Sequence, residues 1–335
     1  MVELPYLLRS ENIARIEGNE LLIGDRRIYP FERRFVHCST VEEIALALKQ
    51  MVSQGGGPLE VALTTMTFVS EQMQKGRTRA AFAELERSCE LLKASRPTNT
   101  TMKRTLNALL AKLETCEDFV VQIPSLVEQV KADFAALYHQ MGRHGSSLVP
   151  EAGGVLTTCF AEHTFLLSLA YAKEAGKQVV VYVPETRPYL QGSRLTAPSL
   201  MEMGIETRVI TDGMGATFLR EGVIGAYMTA SDLVCMDGTV VNKVGTLANA
   251  IAANYYGVPY YVFSVSPDSS KQDAMGIEME WRFPGEVTQC MGHPTTGEGV
   301  DALYPAFDII PADLVRGIVT GKGILKPEEI RRNFQ

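Results

Sequence analysis

Strand and helix patterns alternate through the second half of this chain, and that alternation restricts the possible folds more than any other feature. Apolar strand patterns lie at residues 155–158, 179–183, 207–210, 223–228 and 259–265. Helical patterns separate them, as expected for right-handed βαβ units. Residues 145–335 are therefore predicted to form an α/β domain, with helices on both faces of a mostly parallel sheet.

The first 144 residues show a different pattern. Short alternating runs before residue 38, interrupted by Gly18 and Gly24, predict a small β-hairpin region. Thr40 and Glu43 have the spacing of a capping box, so a helix is predicted to begin there, in a bundle of about five helices. Because 335 residues exceed what one core usually supports, we predict two domains, 1–144 and 145–335.

Net charge and composition exclude several classes of protein. The net charge is −7 and no long basic run occurs, which argues against a nucleic-acid surface. The sequence has no apolar stretch of about 18 residues and no signal-peptide pattern, so we expect a cytoplasmic protein without a membrane span. The six cysteines form no CxxC pair and the five histidines are scattered, which predicts free thiols and no metal site.

The segment 229–246 combines an acid with a possible anion site. Asp232 follows the strand pattern 223–228, and Asn242 and Lys243 begin the helical pattern 241–256. Ligands of open parallel sheets bind outside the carboxyl ends of the strands. A helix N-terminus at that edge offers free N–H groups to a phosphate. The alternative is that Asp232 only begins a turn and that Lys243 is a surface charge.

Two further polar features come after strand patterns in the same half of the chain. Cys159 comes directly after the strand 155–158, at a predicted helix start, where the helix dipole would lower the thiol pKa and favour a base or nucleophile. The alternative is a structural thiol. Gln191 lies in a polar connection after the strand 179–183, and its amide suits sugar hydroxyls.

A run of three glycines in the first domain is a possible phosphate loop. Gly55, Gly56 and Gly57 precede a helix that begins with Pro58, and their bare N–H groups would allow close approach of a phosphate. The alternative is a helix C-cap followed by a linker. Arg96 precedes Pro97, which places it at a turn, where it is either a phosphate ligand or a surface arginine.

Three motifs resemble those of the methylthioribose-1-phosphate isomerase family. They are ETRPYLQGSRLTA at 185–197, TASDLVCMDGTVVNKVGT at 229–246 and PAFDIIPADLVRGIVTGKGIL at 305–325. That family is related to ribose-1,5-bisphosphate isomerases and to the regulatory α, β and δ subunits of the exchange factor for translation initiation factor 2. The resemblance runs from about Phe35 to the C-terminus. It implies a small helical domain, a Rossmann-like domain, a homodimer and no cofactor.

The resemblance also implies roles for individual residues. Asp232 would be the proton donor and Cys159 the second catalytic group, while Arg96, Gln191, Asn242 and Lys243 would contact the substrate. Two positions depart from the family. Gly55–Gly57 stand where the family has an Arg-Gly-Ala phosphate loop, and 160–162 read Phe-Ala-Glu where it has Asn-Ala-Gly. Both departures touch the substrate pocket, so an altered substrate or weakened activity is expected.

The implied activity is conversion of an aldose 1-phosphate to a ketose 1-phosphate, here S-methyl-5-thioribose 1-phosphate to S-methyl-5-thioribulose 1-phosphate. Asp232, with a pKa raised in a low-dielectric pocket, would protonate the ring oxygen, and Cys159 would move the proton at carbon 2. A hydride shift between carbons 2 and 1 is the other route. One alternative function is isomerisation of 5-deoxyribose 1-phosphate or ribose 1,5-bisphosphate. Another is a non-catalytic sensor of sugar phosphates or nucleotides, against which both catalytic groups argue.

Overall fold

The computed structural model describes residues 2–334, which divide into two compact units. The N-terminal unit comprises residues 6–136. The C-terminal unit comprises residues 137–334 together with residues 2–5. No helix within residues 2–334 is long and apolar enough to cross a membrane.

The N-terminal unit opens with a short helix, and a three-stranded antiparallel sheet follows where the sequence predicts a β-hairpin region; the predicted helices come after it. Its strands are β1 (Ala14–Glu17), β2 (Glu20–Gly24) and β3 (Phe35–Cys38). Its helices are α1 (Ser10–Ile13), α2 (Val41–Lys49), α3 (Gly57–Gln74), α4 (Phe82–Ser95), α5 (Thr100–Glu114) and α6 (Phe119–Ser146), of which α6 extends beyond Ala136. The predicted capping box starts α2: the Glu43 N–H donates to Thr40 Oγ1 at 3.2 Å, and the Thr40 N–H donates to Glu43 Oε2 at 3.2 Å.

Helix α3 supplies much of the core of the N-terminal unit. Its side chains Leu63, Met66 and Phe68 are almost completely buried, and they belong to one apolar cluster with residues of α4 and α5. Burial of such side chains contributes about 1.5–3 kcal/mol each to folding. The unit therefore has a core of its own.

The C-terminal unit is built on a seven-stranded sheet. Its strands are β4 (Gly154–Leu156), β5 (Val180–Pro184), β6 (Glu206–Ile210), β7 (Ile224–Ala230), β10 (Tyr260–Phe263), β14 (Gly317–Thr320) and β15 (Gly323–Leu325). They lie in the order β15-β14-β10-β7-β4-β5-β6, and all neighbours are parallel except β14 and β15. The helices of this unit are α7 (Glu162–Glu174), α8 (Ala197–Glu202), α9 (Gly215–Arg220), α10 (Thr246–Tyr255) and α11 (Ile330–Phe334). The predicted α/β class with a mostly parallel sheet is confirmed.

Two buried tyrosines connect the central strands of this sheet. The rings of Tyr227 on β7 and Tyr260 on β10 stack with their centroids 4.5 Å apart. Their hydroxyls are hydrogen-bonded to Thr158 Oγ1 at 2.7 Å and Thr229 Oγ1 at 2.8 Å, respectively. Buried phenols need such partners. Ring stacking and hydroxyl hydrogen bonds thus both hold the central strands of the sheet together.

A smaller antiparallel sheet shows that the predicted helix start at Asn242 and Lys243 is wrong. Asn242 and Lys243 do not begin a helix; they end strand β9 (Val240–Lys243), which pairs with β8 (Leu233–Val234) and β13 (Phe307–Ile310). Helix α10 begins only at Thr246, after Gly245 with φ of 100°. Two β-branched residues favour the strand here, and the glycine allows the left-handed turn that ends it. A two-stranded ribbon, β11 (Gln289–Cys290) and β12 (His293–Pro294), lies outside both sheets.

Candidate active site

The carboxyl ends of three neighbouring parallel strands carry the predicted site residues of the C-terminal unit. Strands β7, β4 and β5 are adjacent in the sheet. Asp232 follows β7, Cys159 follows β4 and Gln191 lies in the connection after β5. Such an edge is where ligands bind in open α/β sheets. The structure therefore places these three residues at one edge of the sheet.

The backbone of Cys159 is held on both sides by threonines of the motif 185–197. The Cys159 N–H donates to Thr186 Oγ1 at 3.1 Å, and the Thr196 hydroxyl donates to the Cys159 carbonyl at 2.5 Å. Cys159 itself has φ of 66°, in the left-handed region that non-glycine residues seldom adopt. Such strain costs on the order of 1–3 kcal/mol and concentrates at functional sites. The motif thus fixes a strained cysteine in place.

The surroundings of the Cys159 thiol contradict the predicted lowering of its pKa. Burial raises the pKa of Cys159 to about 11, while the charge of Lys243 acts in the opposite direction and the charge of Asp232 raises the pKa further. Helix α7 begins at Glu162 rather than at Phe160, so the thiol lies before the helix. Desolvation therefore outweighs the helix dipole, and the free thiol is protonated at neutral pH.

Asp232 differs from its expected surroundings. Its side chain is exposed rather than enclosed in a low-dielectric pocket. Its backbone N–H donates to the Val241 carbonyl of β9 at 2.9 Å, which joins the end of β7 to the small sheet. Asp232 acts electrostatically on both Cys159 and Lys243. The carboxylate therefore belongs to the same site, although water reaches it.

Lys243 is a buried cation and not the surface charge considered as the alternative. It is only 4% exposed, and its Nζ lies 5.1 Å from the ring centroid of Phe307 and 5.9 Å from those of Tyr189 and Tyr304. Burial lowers the pKa of Lys243, whereas the neighbouring Cys159 raises it. An ammonium group against aromatic faces is stabilised by their quadrupoles. This arrangement partly offsets the cost of burying the charge.

The predicted phosphate position at the start of α10 is already occupied by a carboxylate of the chain. Asp308 Oδ2 accepts hydrogen bonds from the Gly245 N–H at 2.8 Å and the Leu247 N–H at 2.9 Å. Because Asp308 pairs with Asn242 in the small sheet, its position is set by strand register. Asn242 is buried and donates from Nδ2 to Thr246 Oγ1 at 3.1 Å. The helix terminus is therefore not available as an anion site.

Gln191 has the features of a ligand-binding amide. It is 3% exposed and stands directly before a single π-helical turn, Gly192–Thr196. Within residues 2–334, no hydrogen-bond donor reaches its buried Oε1. A buried acceptor without a partner costs about 1–3 kcal/mol, which a donor on a bound ligand would offset.

The glycine run and Arg96 form a separate cluster within the N-terminal unit. Gly55 has φ of 63°, and Gly57 is the first residue of α3, preceded by Gly56 at the N-cap. Arg96 follows α4, and its Nη1 donates to the Ser53 carbonyl at 3.2 Å. The structure therefore brings Arg96 to the segment that leads into the glycine run.

The sequence analysis missed four residues around Lys243. They lie in the motifs 185–197 and 305–325 and in the segment between these motifs: Tyr189, Phe307, Arg282 and Tyr304. Arg282 Nε donates to Glu280 Oε1 at 2.6 Å, and the Tyr189 hydroxyl donates to both oxygens of Glu286, at 2.8 and 2.9 Å. No local periodicity marks these residues, because only tertiary packing brings them to Lys243.

Comparison with known proteins agrees with this architecture. The initiation factor 2 subunit family matches residues 56–327. The methylthioribose-1-phosphate isomerase of Roseiflexus sp. (strain RS-1) is 33% identical over 331 residues, 93% of each chain. That of Pelotomaculum thermopropionicum is 34% identical over 340 residues, 96% of this chain and 93% of its own.

Solved structures show the same similarity. The 5-methylthioribose 1-phosphate isomerase from Pyrococcus horikoshii OT3 superposes with a TM-score of 0.81 and 27% identity, covering 96% of this chain and 94% of its own. The translation initiation factor eIF-2B subunit delta from A. fulgidus gives 0.77 and 25%, covering 98% and 97%. The relatives confirm the prediction of an aldose–ketose isomerase enzyme. The chain belongs to the initiation factor 2 subunit family and, within it, to the methylthioribose-1-phosphate isomerase family.

Proposed function

We propose that the chain converts S-methyl-5-thioribose 1-phosphate to S-methyl-5-thioribulose 1-phosphate. The observation that carries the proposal is the convergence of Asp232, Cys159 and Gln191 at the carboxyl ends of three adjacent parallel strands. A carboxyl group and a thiol can transfer protons, and an amide can accept from and donate to sugar hydroxyls. Relatives at 33–34% identity bear the name of this activity.

The reaction requires several proton transfers, which we assign to two groups, Asp232 and Cys159. Asp232 gives a proton to the ring oxygen while the bond from carbon 1 to that oxygen breaks. Cys159, as thiolate, removes the proton from carbon 2, and a double bond forms between carbons 1 and 2. Loss of the hydroxyl proton at carbon 2 and protonation of carbon 1 then give the ketone. In the hydride route the hydrogen moves from carbon 2 to carbon 1, and only the hydroxyl proton is lost.

The raised thiol pKa gives Lys243 a role in this mechanism. The thiolate is a minor species at neutral pH when the pKa is about 11. The charge of Lys243 is the largest influence that opposes the effect of burial on the thiol. Lys243 would therefore increase the amount of thiolate in addition to contacting the substrate.

We propose the Gly56 N–H and Arg96 as ligands of the phosphate; the Gly57 N–H already donates to the Gln54 carbonyl at 3.2 Å and is not one of them. Since Gly55 replaces the family arginine, fewer charges are available for one phosphate, and a charge-assisted hydrogen bond contributes about 1.5–3 kcal/mol. An isomerase of 5-deoxyribose 1-phosphate or ribose 1,5-bisphosphate is the second candidate, because the departures at Gly55 and at residues 160–162 both fall where the family resemblance places the substrate pocket. We further propose that the chain is a homodimer that acts in the cytoplasm and uses no cofactor.

Phosphorus NMR of the purified protein with three sugar phosphates tests the function. The substrates are S-methyl-5-thioribose 1-phosphate, 5-deoxyribose 1-phosphate and ribose 1,5-bisphosphate. We expect the first to give a ketose 1-phosphate signal at the highest rate. A higher rate with either other sugar would transfer the proposal to that substrate. Binding without turnover of any sugar, seen as a rise in melting temperature, would instead indicate a sensor.

A further inference from the structure

Two cations of the C-terminal unit, the buried Lys243 and the partly buried Arg282, lie against the same two aromatic rings. Lys243 Nζ is 5.9 Å from the ring centroid of Tyr189 and 5.1 Å from that of Phe307. The Arg282 guanidinium carbon is 5.7 and 5.5 Å from the same two centroids. Like charges in one partly desolvated enclosure repel each other, so the arrangement is costly unless an anion joins them.

Besides the exposed Asp232, which acts on Lys243, two carboxylates lie near these cations, and both are already engaged. Glu280 accepts from Arg282 Nε at 2.6 Å, and Glu286 accepts from the Tyr189 hydroxyl. Throughout residues 2–334, no carboxylate lies within ion-pair distance of Lys243. Of the two cations, only Arg282 therefore has an ion-pair partner among the described residues.

The same enclosure contains polar atoms without a good partner. Within the described part of the chain, Arg282 Nη1 and the Tyr304 hydroxyl are both buried and make no hydrogen bond of acceptable geometry, although they lie close enough to interact. The Arg282 side chain is 13% exposed and Tyr304 is 2% exposed. Buried donors of this kind require an acceptor, and a guanidinium edge fits an oxyanion.

We propose that Arg282 and Lys243 together bind an anionic oxygen of the ligand, with Arg282 Nη1, which makes no hydrogen bond of acceptable geometry, as its donor. The identity of the ligand rests on the proposed function, but the binding of an anion does not. The oxygen belongs either to the phosphate group or to carbon 2, whose hydroxyl loses its proton during isomerisation. Arg282 is thus a binding residue beyond those inferred from the family motifs, and it lies in a segment that those motifs do not cover.

Binding of inorganic phosphate to the wild type and to Arg282→Gln tests this proposal. Trp281, the only tryptophan of the chain, adjoins Arg282 and provides a fluorescence signal local to the site. Loss of one charge-assisted hydrogen bond, about 1.5–3 kcal/mol, should raise the phosphate Kd by about ten- to 150-fold. Arg208→Gln is the matched control, because Arg208 forms a similar ion pair with Glu206 at 2.9 Å on the surface of the same unit. The control should bind phosphate within about twofold of wild type.

Kinetics with the sugar phosphate distinguish the two sources of the anionic oxygen. If the phosphate group is bound, Arg282→Gln raises both the phosphate Kd and the KM. If the oxygen at carbon 2 is bound, Arg282→Gln leaves the phosphate Kd and KM unchanged and lowers kcat by about tenfold or more. Phosphate Kd, KM and kcat all within about twofold of wild type would overturn the proposal.

A second variant covers the case in which Arg282→Gln fails to fold. Arg282→Lys then replaces it, since lysine keeps the charge but loses the planar donor edge. Weaker phosphate binding or a lower kcat at an unchanged melting temperature then supports the proposal, and wild-type values of both overturn it. If the wild type isomerises none of the sugars, the phosphate Kd values of wild type and variant alone decide whether the anion site exists. The proposed function and the anion site can therefore fail separately.

Discussion

Replacement of Lys243 by methionine should make the Cys159 thiol harder to ionise. Burial raises the pKa of Cys159 to about 11, and Lys243 supplies the leading charge that holds it from rising further. An opposite charge at close range typically shifts a pKa by about 1–3 units. Methionine keeps the apolar stem against the rings of Tyr189 and Phe307 but removes the charge. The thiol pKa should therefore rise by about one unit or more.

Alkylation by iodoacetamide, followed by mass spectrometry of the peptide that contains Cys159, measures this change. At pH 9 the wild-type thiol with a pKa of about 11 is about 1% thiolate, and its alkylation rate should rise about tenfold per pH unit. Lys243→Met should be about tenfold slower at that pH. Lys103→Met, on the exposed face of α5 in the N-terminal unit, is the control and should leave the rate unchanged. A Cys159 pKa near the ordinary value of about 8.5 in the wild type, or equal rates in Lys243→Met and wild type, would refute the reasoning.

Three more predictions concern Gly192, the pH dependence of turnover and Gly55. Gly192→Ala should lower the free energy of unfolding in urea by about 1–3 kcal/mol, because its Cβ would lie 1.8 Å from the Pro184 carbonyl oxygen. Gly213→Ala is the control and should leave the free energy of unfolding unchanged, because no atom lies within 4 Å of its Cβ. Equal losses of stability in the two variants would contradict this account. Turnover should rise with pH less steeply than the roughly tenfold per unit expected for alkylation, because the protonated form of Asp232 becomes rarer as the Cys159 thiolate becomes more abundant; a rise of about tenfold per pH unit above neutrality would show that Asp232 is not the proton donor. Gly55→Arg should lower the melting temperature through about 1–2 kcal/mol of left-handed strain, and an unchanged value would show that the backbone adapts.

Local sequence patterns were sufficient for five of the seven strands of the large sheet and for the placement of three candidate site residues. Apolar runs mark β4, β5 and β7, and parallel topology brings the segments after these strands to one edge of the sheet. Cys159, Gln191 and Asp232 could therefore be predicted without tertiary information. The capping box at Thr40 is likewise local.

Features that depend on distant contacts could not be predicted in the same way. The strand that carries Lys243 pairs with β13, where Phe307 lies opposite Lys243 although it is far away in sequence. The sequence around Lys243 does not show this pairing, so the local pattern predicts the start of a helix. Asp308 reaches the terminus of α10 only through that pairing. The thiol pKa depends on burial, which is a tertiary property, and Arg282 has no local signal.

The central claim is that Cys159 and Asp232 carry out the proton transfers of a sugar-phosphate isomerisation. Conversion of S-methyl-5-thioribose 1-phosphate, monitored by phosphorus NMR for the wild type, Cys159→Ser and Asp232→Asn, tests it most directly. Because Asp232 is exposed, Asp232→Asn should keep the melting temperature of the wild type while turnover is lost. Cys159→Ser should lower turnover by about 10² or more. Near wild-type turnover in either variant would contradict the account.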